Sequence, residues 1–256
     1  MPETVLNGCR HHWEEAGSGP ALVLLHGAAG SGRQLSRHIE PLSEHFRVIV
    51  PDLRGLGRSE RVGPDTPVTA WVDDLRALQD ELGLGPLNIY GMTVGGRVAM
   101  RFAADTPDRA GCLIVDMPVM FNEESAQAGV RGQVDLAKMP EQRRKQLQDW
   151  HGDQWEQAVR FYHEFRDRPE WQEYFDLREH SRKITARTLI LRGDAPGDAY
   201  SAEHAFLLYR NLPGSWLWIR PRTDGGLLRN APQETYRLIQ EFVTADAGAG
   251  PVGSTY

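Results

Sequence analysis

The sequence predicts an α/β fold in which a doubly wound, mostly parallel sheet of eight strands carries an inserted helical cap. Three observations lead to this prediction. Short apolar runs alternate with longer helical patterns, an Asn-Gly pair separates two strand patterns near the start, and residues 121–182 contain no good strand pattern. The chain has 256 residues, 40% of them hydrophobic, which is enough for one sizeable core.

Six of the strands are predicted where short, nearly continuous apolar runs occur, because parallel strands are buried on both faces of the sheet. Longer segments with apolar residues at helical spacing separate these runs and predict the helices that cover the sheet. The strand runs are 21–25, 47–50, 87–90, 112–115, 188–191 and 216–219, and the helical segments lie near 69–82, 95–105, 202–211 and 233–243.

The other two strands are expected in the N-terminal stretch TVLNGCRHHWEEAG. Its Asn7-Gly8 pair is a strong hairpin signal, because both residues accept the positive φ of a tight two-residue turn. The N-terminal part of the sheet is therefore predicted to be antiparallel.

The helical cap is predicted from a polar, ring-rich region that interrupts the alternation of strands and helices. We assign 121–182 to the cap, 1–120 and 183–246 to the sheet core, and the Gly/Ala-rich 247–256 to a flexible tail. The large rings of the cap are Trp150, Trp155, Phe161, Tyr162, Phe165, Trp171, Tyr174 and Phe175.

Composition narrows the possible partners and cofactors. The net charge of −6 and pI near 5.9 argue against nucleic acid, and the short basic run 143–145 is interpreted as a solvated helix face. Cys9 and Cys112 do not form a disulfide framework or a metal site. Because the sequence shows no leader pattern and no long apolar run, we expect a cytoplasmic monomer or homodimer that does not bind a membrane. We also expect no metal and no other cofactor. The expected partner is a small-molecule substrate.

Four motifs occur in a fixed order along the chain: LVLLHGAAG at 22–30, PDLRGLGRS at 51–59, GMTVGG at 91–96 and the final helix APQETYRLIQEFV at 231–243. Together with the N-terminal hairpin they resemble the α/β-hydrolase superfamily over nearly the whole chain. In that superfamily a sharp strand-to-helix turn raises a nucleophile, usually serine, above the sheet.

Thr93 occupies the position that the resemblance gives to the nucleophile. The backbone at this position is usually strained with positive φ, which costs a β-branched residue about 1–3 kcal/mol. Two interpretations remain open: the protein still uses a hydroxyl here, or the turn persists for folding and its side chain has drifted.

The resemblance also implies an oxyanion hole made by two backbone N–H groups, those of Val94 and of Ala28. The alternative is that the small-residue loop at 27–30 merely closes a turn. His26, at the end of its strand, is expected to be a structural hydrogen-bonding residue beneath this loop.

The residues expected for the rest of a catalytic triad do not follow the superfamily pattern. Counting back from Pro232 leads to Gly225 or Gly226, so Asp224-Gly225 stands where a Gly-His pair would supply the general base. The acid is also uncertain: Pro196 takes its usual position, and the candidates are Asp194, Asp198 and Asp116. A threonine hydroxyl without an adjacent base is a poor nucleophile.

Three functions are compatible with these features. The first is a non-hydrolytic cyclase, lyase or isomerase acting on a bulky, partly apolar molecule, such as a natural-product intermediate. In it, Thr93 would bind the substrate, and Asp224 or Asp116 would act as acid or base. The alternatives are a hydrolase with a threonine nucleophile, for which Asp224, His151 or His163 would supply the base, and a non-catalytic binder. Candidate substrate contacts are Met92, Trp150, Trp155, Phe161 and Tyr162, although rings at helical spacing often form core.

Overall fold

The computed structural model describes residues 2–123, 136, 138–195 and 201–245. The tail predicted at 247–256 and part of the segment assigned to the cap lie outside these residues.

The chain folds around an eight-stranded sheet in the order β1-β2-β4-β3-β5-β6-β7-β8. The pairs β1–β2 and β2–β4 are antiparallel and every other pair is parallel, which confirms the predicted mostly parallel sheet. The strands are β1 Glu3–Leu6, β2 Cys9–Ala16, β3 Ala21–Leu25, β4 Arg47–Pro51, β5 Leu87–Met92, β6 Ala110–Asp116, β7 Arg187–Gly193 and β8 Trp216–Arg220.

The N-terminal hairpin forms at the predicted pair. Asn7 and Gly8 have φ of 48° and 73°, the two positive values that a type I′ turn requires. The Asn7 side-chain amide also donates to Asp74 Oδ1 at 3.0 Å, which fastens the turn to the helix below it.

Helices cover both faces of the sheet, as the doubly wound prediction requires. Side chains of each strand alternate between two apolar cores, so that Val23 and Leu25 enter one core and Leu22 and Leu24 the other. No helix in the described ranges is long and apolar enough to cross a bilayer. The helices are α1 Ile39–Ser43, α2 Ala70–Glu81, α3 Val94–Asp105, α4 Glu141–His151, α5 Trp155–Asp167, α6 Pro169–Tyr174, α7 Leu177–His180, α8 Glu203–Asn211, α9 Leu227–Asn230 and α10 Pro232–Thr244.

Helices α4 to α7 lie between β6 and β7 in the chain, in the region predicted to be helical. Two of them pack rings against Trp71 of α2: the ring of Phe165 lies 4.9 Å from that of Trp71, and the ring of Trp171 lies 6.3 Å from it, both edge to face. Much of the aromatic content of this region therefore joins it to the sheet core.

The closest approach between α3 and the sheet depends on Gly95. A Cβ atom there would lie 2.6 Å from the carbonyl oxygen of His26 and would also clash with the carbonyl oxygen of Leu25. Both obstacles are backbone atoms at the end of β3, so neither yields without a shift of the strand or the helix.

We therefore expect Gly95→Ala to lower the free energy of unfolding by about 2 kcal/mol, because overpacking at a backbone contact forces the elements apart. Gly85→Ala is the matched control, since a Cβ there meets nothing within 4 Å. Urea unfolding of both variants tests this, and equal stability of the two would contradict the close contact.

Candidate active site

The turn between β5 and α3 has the geometry expected of a catalytic elbow. Thr93 lies at its apex with φ 48° and ψ −107°. A Cβ on Gly91 would lie 2.5 Å from the carbonyl oxygen of Gly95, so the turn is too tight for a side chain at position 91. The Thr93 N–H donates to the carbonyl oxygen of Asp116 at 3.2 Å. A β-branched residue is thus held in a strained conformation that costs about 1–3 kcal/mol.

The Thr93 hydroxyl lies against the loop that follows β3. Its Oγ1 accepts a hydrogen bond from the Ala28 N–H at 3.3 Å. Ala28 lines the cavity above the elbow, and Val94, whose N–H is at the N-terminus of α3, is buried beside it. The two predicted oxyanion donors therefore flank Thr93, although only Ala28 is part of the described cavity wall.

Methionines lie beside Gly225 and Gly226, in the stretch where the resemblance implies a general base. A Cβ on Gly226 would lie 3.1 Å from Met92 Sδ and 3.1 Å from Asp116 Oδ2, and Gly225 lies beside Met117. Asp224 is exposed and lines the cavity. Within the described part of the chain, no imidazole or carboxylate lies within hydrogen-bonding distance of Thr93 Oγ1.

The buried carboxylate of Asp116 anchors the loop that precedes α9, and its acid/base role stays a prediction. Its buried carboxylate accepts hydrogen bonds from the N–H groups of Leu227 (2.9 Å) and Leu228 (3.0 Å) and from the Tyr90 hydroxyl (2.8 Å). Burial raises the pKa of Asp116, and these hydrogen bonds oppose that rise. Asp116 is absent from the described cavity wall, because these three donors hold it beneath the loop that precedes α9.

The other two candidate acids follow β7. The Asp194 carboxylate is exposed and accepts the Arg222 N–H at 2.5 Å, so it braces the loop after β8. Asp198 lies outside the described residues.

In two histidines near the elbow, both ring nitrogens form hydrogen bonds with backbone groups. His26 donates from Nδ1 to the Gly27 carbonyl (3.0 Å) and accepts the Leu53 N–H at Nε2 (3.1 Å). His151 accepts the Gly57 N–H at Nδ1 (2.9 Å) and donates from Nε2 to the Ala29 carbonyl (3.1 Å). Neither ring has a nitrogen left for a substrate, so His151 does not supply the missing base.

His163 differs from these two because it lines the cavity. Burial and the charges of Arg166 and Arg143 lower the pKa of His163 to about 4. His163 is therefore neutral near pH 7, and a pKa this low makes its ring a weaker base than an ordinary histidine. Among the described residues, no group of three His, Cys, Asp or Glu side chains has metal-binding geometry.

The cavity above Thr93 has a volume of about 930 Å³ and lies between the loops of the sheet core and helices α4 and α5. Of the predicted substrate contacts, Met92, Trp150 and Tyr162 line it. Trp155 and Phe161 are not part of the described wall, and their role as substrate contacts stays a prediction. Phe161 stacks on Phe165 with ring centroids 5.2 Å apart, and Trp155 packs in a small apolar cluster with Trp150.

The cavity wall is strongly cationic, a feature that the sequence analysis missed. One lining carboxylate, Asp224, accompanies six lining cations in the described wall. Arg143, interpreted from sequence as part of a solvated helix face, points into this wall. The signal was hidden because the basic residues come from four separate stretches of the chain. The six cations are Arg33, Arg37, Lys138, Arg143, Arg166 and Arg229.

Comparison with known proteins identifies the family. The sequence profile of the family described as "alpha/beta hydrolase fold" matches residues 20–188, which is more than half of the chain. The chain belongs to the α/β-hydrolase fold family. The resemblance drawn from the four motifs is therefore confirmed.

Relatives of this α/β-hydrolase-fold protein are named as hydrolases. It is 41% identical over 116 residues to a soluble epoxide hydrolase from Corynebacterium sp. (strain C12), covering 45% of this chain and 41% of that protein. It is 33% identical over 123 residues to 2-hydroxy-6-oxo-6-phenylhexa-2,4-dienoate hydrolase from Burkholderia cepacia, covering 45% and 42%. Each match thus spans about two fifths of the relative's length.

A solved structure extends the likeness in fold to almost the whole chain. The structure of Est816, described as an N-acyl homoserine lactone degrading enzyme, superposes with a TM-score of 0.76 and 21% identity. The superposition covers 94% of this chain and 100% of that one.

The buried His151 makes the stability of this α/β-hydrolase-fold protein depend on pH. Burial lowers the pKa of His151 to about 4, whereas an unfolded histidine titrates near 6.5. Between these values the unfolded state binds a proton that the folded state does not. The neutral His151 ring thus contributes its full stabilisation above pH 6.5, and this stabilisation is lost progressively toward pH 4. The loss reaches about 2 kcal/mol at pH 5.

We expect His151→Gln to reduce the stability lost between pH 7 and pH 5 by about 2 kcal/mol, as measured by urea unfolding at both values. His45→Gln, which replaces an exposed histidine, should retain the wild-type loss. If the His151 variant lost as much stability between pH 7 and pH 5 as the wild type, His151 would not be buried in its neutral form.

Asp116→Ala should lower the free energy of unfolding by about 3 kcal/mol, because it leaves the Leu227 and Leu228 amides and the Tyr90 hydroxyl without their acceptor. Asp116→Asn should lower the free energy of unfolding by a smaller amount. Asp108→Ala, at an exposed carboxylate, is the control for thermal or urea unfolding. Unchanged stability of Asp116→Ala would contradict the anchoring role.

Proposed function

We propose that this protein is an enzyme that encloses a bulky, partly apolar small molecule and converts it without an acyl-enzyme intermediate, by cyclisation, elimination or isomerisation. The observation that carries this proposal is the environment of Thr93. Its Oγ1 accepts the Ala28 N–H, and the described residues hold no imidazole or carboxylate against it.

A hydroxyl in this environment is a weak nucleophile. At neutral pH a threonine side chain is not ionised, and it attacks an acyl or epoxide carbon only when an adjacent base removes its proton. In a serine protease, removal of the catalytic histidine slows turnover about a millionfold. The strained backbone of Thr93 still aims the hydroxyl at the cavity, where hydrogen bonding to a substrate oxygen is the chemistry that remains.

The groups around the cavity suit a reaction in which negative charge develops on an oxygen atom. In this proposal the Ala28 N–H, which donates to Thr93 Oγ1 in the structure, turns to the substrate oxygen and stabilises an enolate together with the Val94 N–H. Asp224 and His163 line the same cavity and supply groups able to accept or return a proton. A titratable wall of this kind favours an enzyme over a passive binder.

The substrate is inferred from the size and lining of the cavity. A volume of about 930 Å³ accommodates a polycyclic or multiply substituted molecule. Met92, Trp150 and Tyr162 supply apolar and aromatic contacts. The Burkholderia relative is named for a phenyl-substituted dienoate, and a ring-bearing substrate of this general kind is consistent with the wall. Within this class, a natural-product intermediate is the substrate we propose.

The proposal is tested by covalent labelling at the elbow. We expect a fluorophosphonate probe to leave Thr93 unmodified in the intact protein, as measured by mass spectrometry, because no base activates the hydroxyl. Thr93→Ser should also remain unlabelled, since it removes the obstructing methyl group but does not restore a base.

The Thr93→Cys variant is the control that shows whether reagents reach the elbow. Its thiol should react with iodoacetamide faster than the buried Cys9 and Cys112, because a thiol is a few per cent ionised at pH 7 without help. A phosphonyl adduct on Thr93 would overturn the proposal and establish a threonine hydrolase. An adduct on the serine variant alone would show that a base is present and that the methyl group suppresses attack.

A further inference from the structure

The cations of the cavity wall converge from the cap and from two loops of the sheet core. Arg143 comes from α4, Arg37 from the 3-10 turn before α1, and Arg229 from α9. Such an arrangement is electrostatically costly in an empty protein, because like charges repel and partial burial removes the water that screens them.

Arg143 is the best-placed of these cations. It is half-buried, donates to Gln146 Oε1 at 2.6 Å, and lies over the ring of Trp150 at 5.1 Å. These contacts hold the guanidinium in place without neutralising it. Burial and the charge of Arg229 lower the pKa of Arg143, and both side chains line the same cavity.

Arg37 is the third arginine of this group and contacts the backbone of Arg229. Its Nη2 donates to the carbonyl oxygen of Arg229 at 2.8 Å and its Nε donates to His38 at 3.1 Å. Burial and the Arg37 charge lower the pKa of His38 to about 4, so His38 adds no positive charge near neutral pH. Arg37 is thereby tied to the loop that carries Arg229.

None of these three arginines has a carboxylate partner among the described residues. Arg33 provides the contrast within the same cavity wall, because its Nη1 forms an ion pair with Asp149 at 2.8 Å. The lining Asp224 is exposed and does not form an ion pair with any of the three. Arg166 also has a carboxylate partner, Asp167 at 4.0 Å, whereas Arg37 and Arg143 donate hydrogen bonds to neutral groups.

We propose that Arg143, Arg229 and Arg37 bind an anionic oxyacid group of the substrate, a carboxylate or a phosphate, while the apolar part of the molecule extends toward Thr93. This inference names the substrate class of the proposed reaction and rests on that proposal. A guanidinium presents paired N–H donors that match the oxygens of either anion, and a group of three supplies both charge and orientation.

Anchoring of this kind has a consequence for the reaction. An anion held at one end of the cavity fixes which carbon of the substrate lies beside the Thr93 hydroxyl and the Ala28 N–H. Positioning by a remote charged group lowers the entropic barrier of a cyclisation or elimination without any covalent bond to the protein. It also excludes neutral analogues, which leave the arginines uncompensated.

The test uses unreactive probes of the same size and shape: 1-naphthoate, 1-naphthyl phosphate and the neutral 1-naphthamide. Calorimetric titration of the intact protein should give at least one anion an affinity about tenfold or more above that of the amide. Raising NaCl from 50 to 500 mM should weaken the anion several-fold and leave the amide unchanged. The preferred anion identifies the oxyacid.

Variants locate the binding site. Arg143→Gln and Arg229→Gln should each weaken the preferred anion about tenfold and have no effect on the amide. Arg144→Gln is the matched control, because Arg144 is the next residue of α4 and does not line the described cavity. Arg229 is exposed, so its variant tests the site even if Arg143→Gln folds poorly.

Equal affinities for both anions and the amide would overturn the inference, as would equal losses in the Arg143 and Arg144 variants. These outcomes are independent of the proposed reaction. Calorimetry of the naphthyl probes reports binding at the arginines, whereas labelling of Thr93 reports the chemistry of the elbow.

Discussion

The hydrogen bonds made by Asp116 are the interaction on which the site depends. Its carbonyl oxygen receives the Thr93 N–H, and its carboxylate receives the Leu227 and Leu228 amides from the loop after β8. One residue at the end of β6 thus joins the elbow to the loop that a general base would occupy. Removing it would release the loop that carries Asp224 and Arg229, although Asp116 itself stays beneath the cavity.

A similar bridge joins the cap helix α4 to the core. The ring of His151 connects the loop after β3, through Ala29, to the loop after β4, through Gly57. Arg61 reinforces this bridge by donating to the carbonyl oxygens of Gly57 and His151. Because α4 also carries Arg143 and Trp150, the hydrogen bonds of His151 help to position one wall of the cavity.

The fold and the charges of the cavity together favour noncovalent catalysis. In this chain a strained turn at Thr93, the Ala28 N–H and a cavity of about 930 Å³ lie together. Five arginines are among the residues that line this cavity. A protein that anchors an anion and stabilises developing charge on oxygen has less need of a nucleophile than one that forms an acyl-enzyme.

The sequence by itself determined the sheet, the hairpin at Asn7-Gly8, the elbow at Thr93 and the absence of histidine from 224–226. Each is encoded locally, by apolar periodicity, by residues that accept positive φ, or by one motif. The role of Asp116, the burial of Phe161 in the core and the convergence of Arg37, Arg143 and Arg229 depended on the tertiary structure. Those properties arise from residues far apart in the chain. A local sequence pattern does not predict which distant groups form an ion pair with a charged side chain, or whether that side chain faces a cavity.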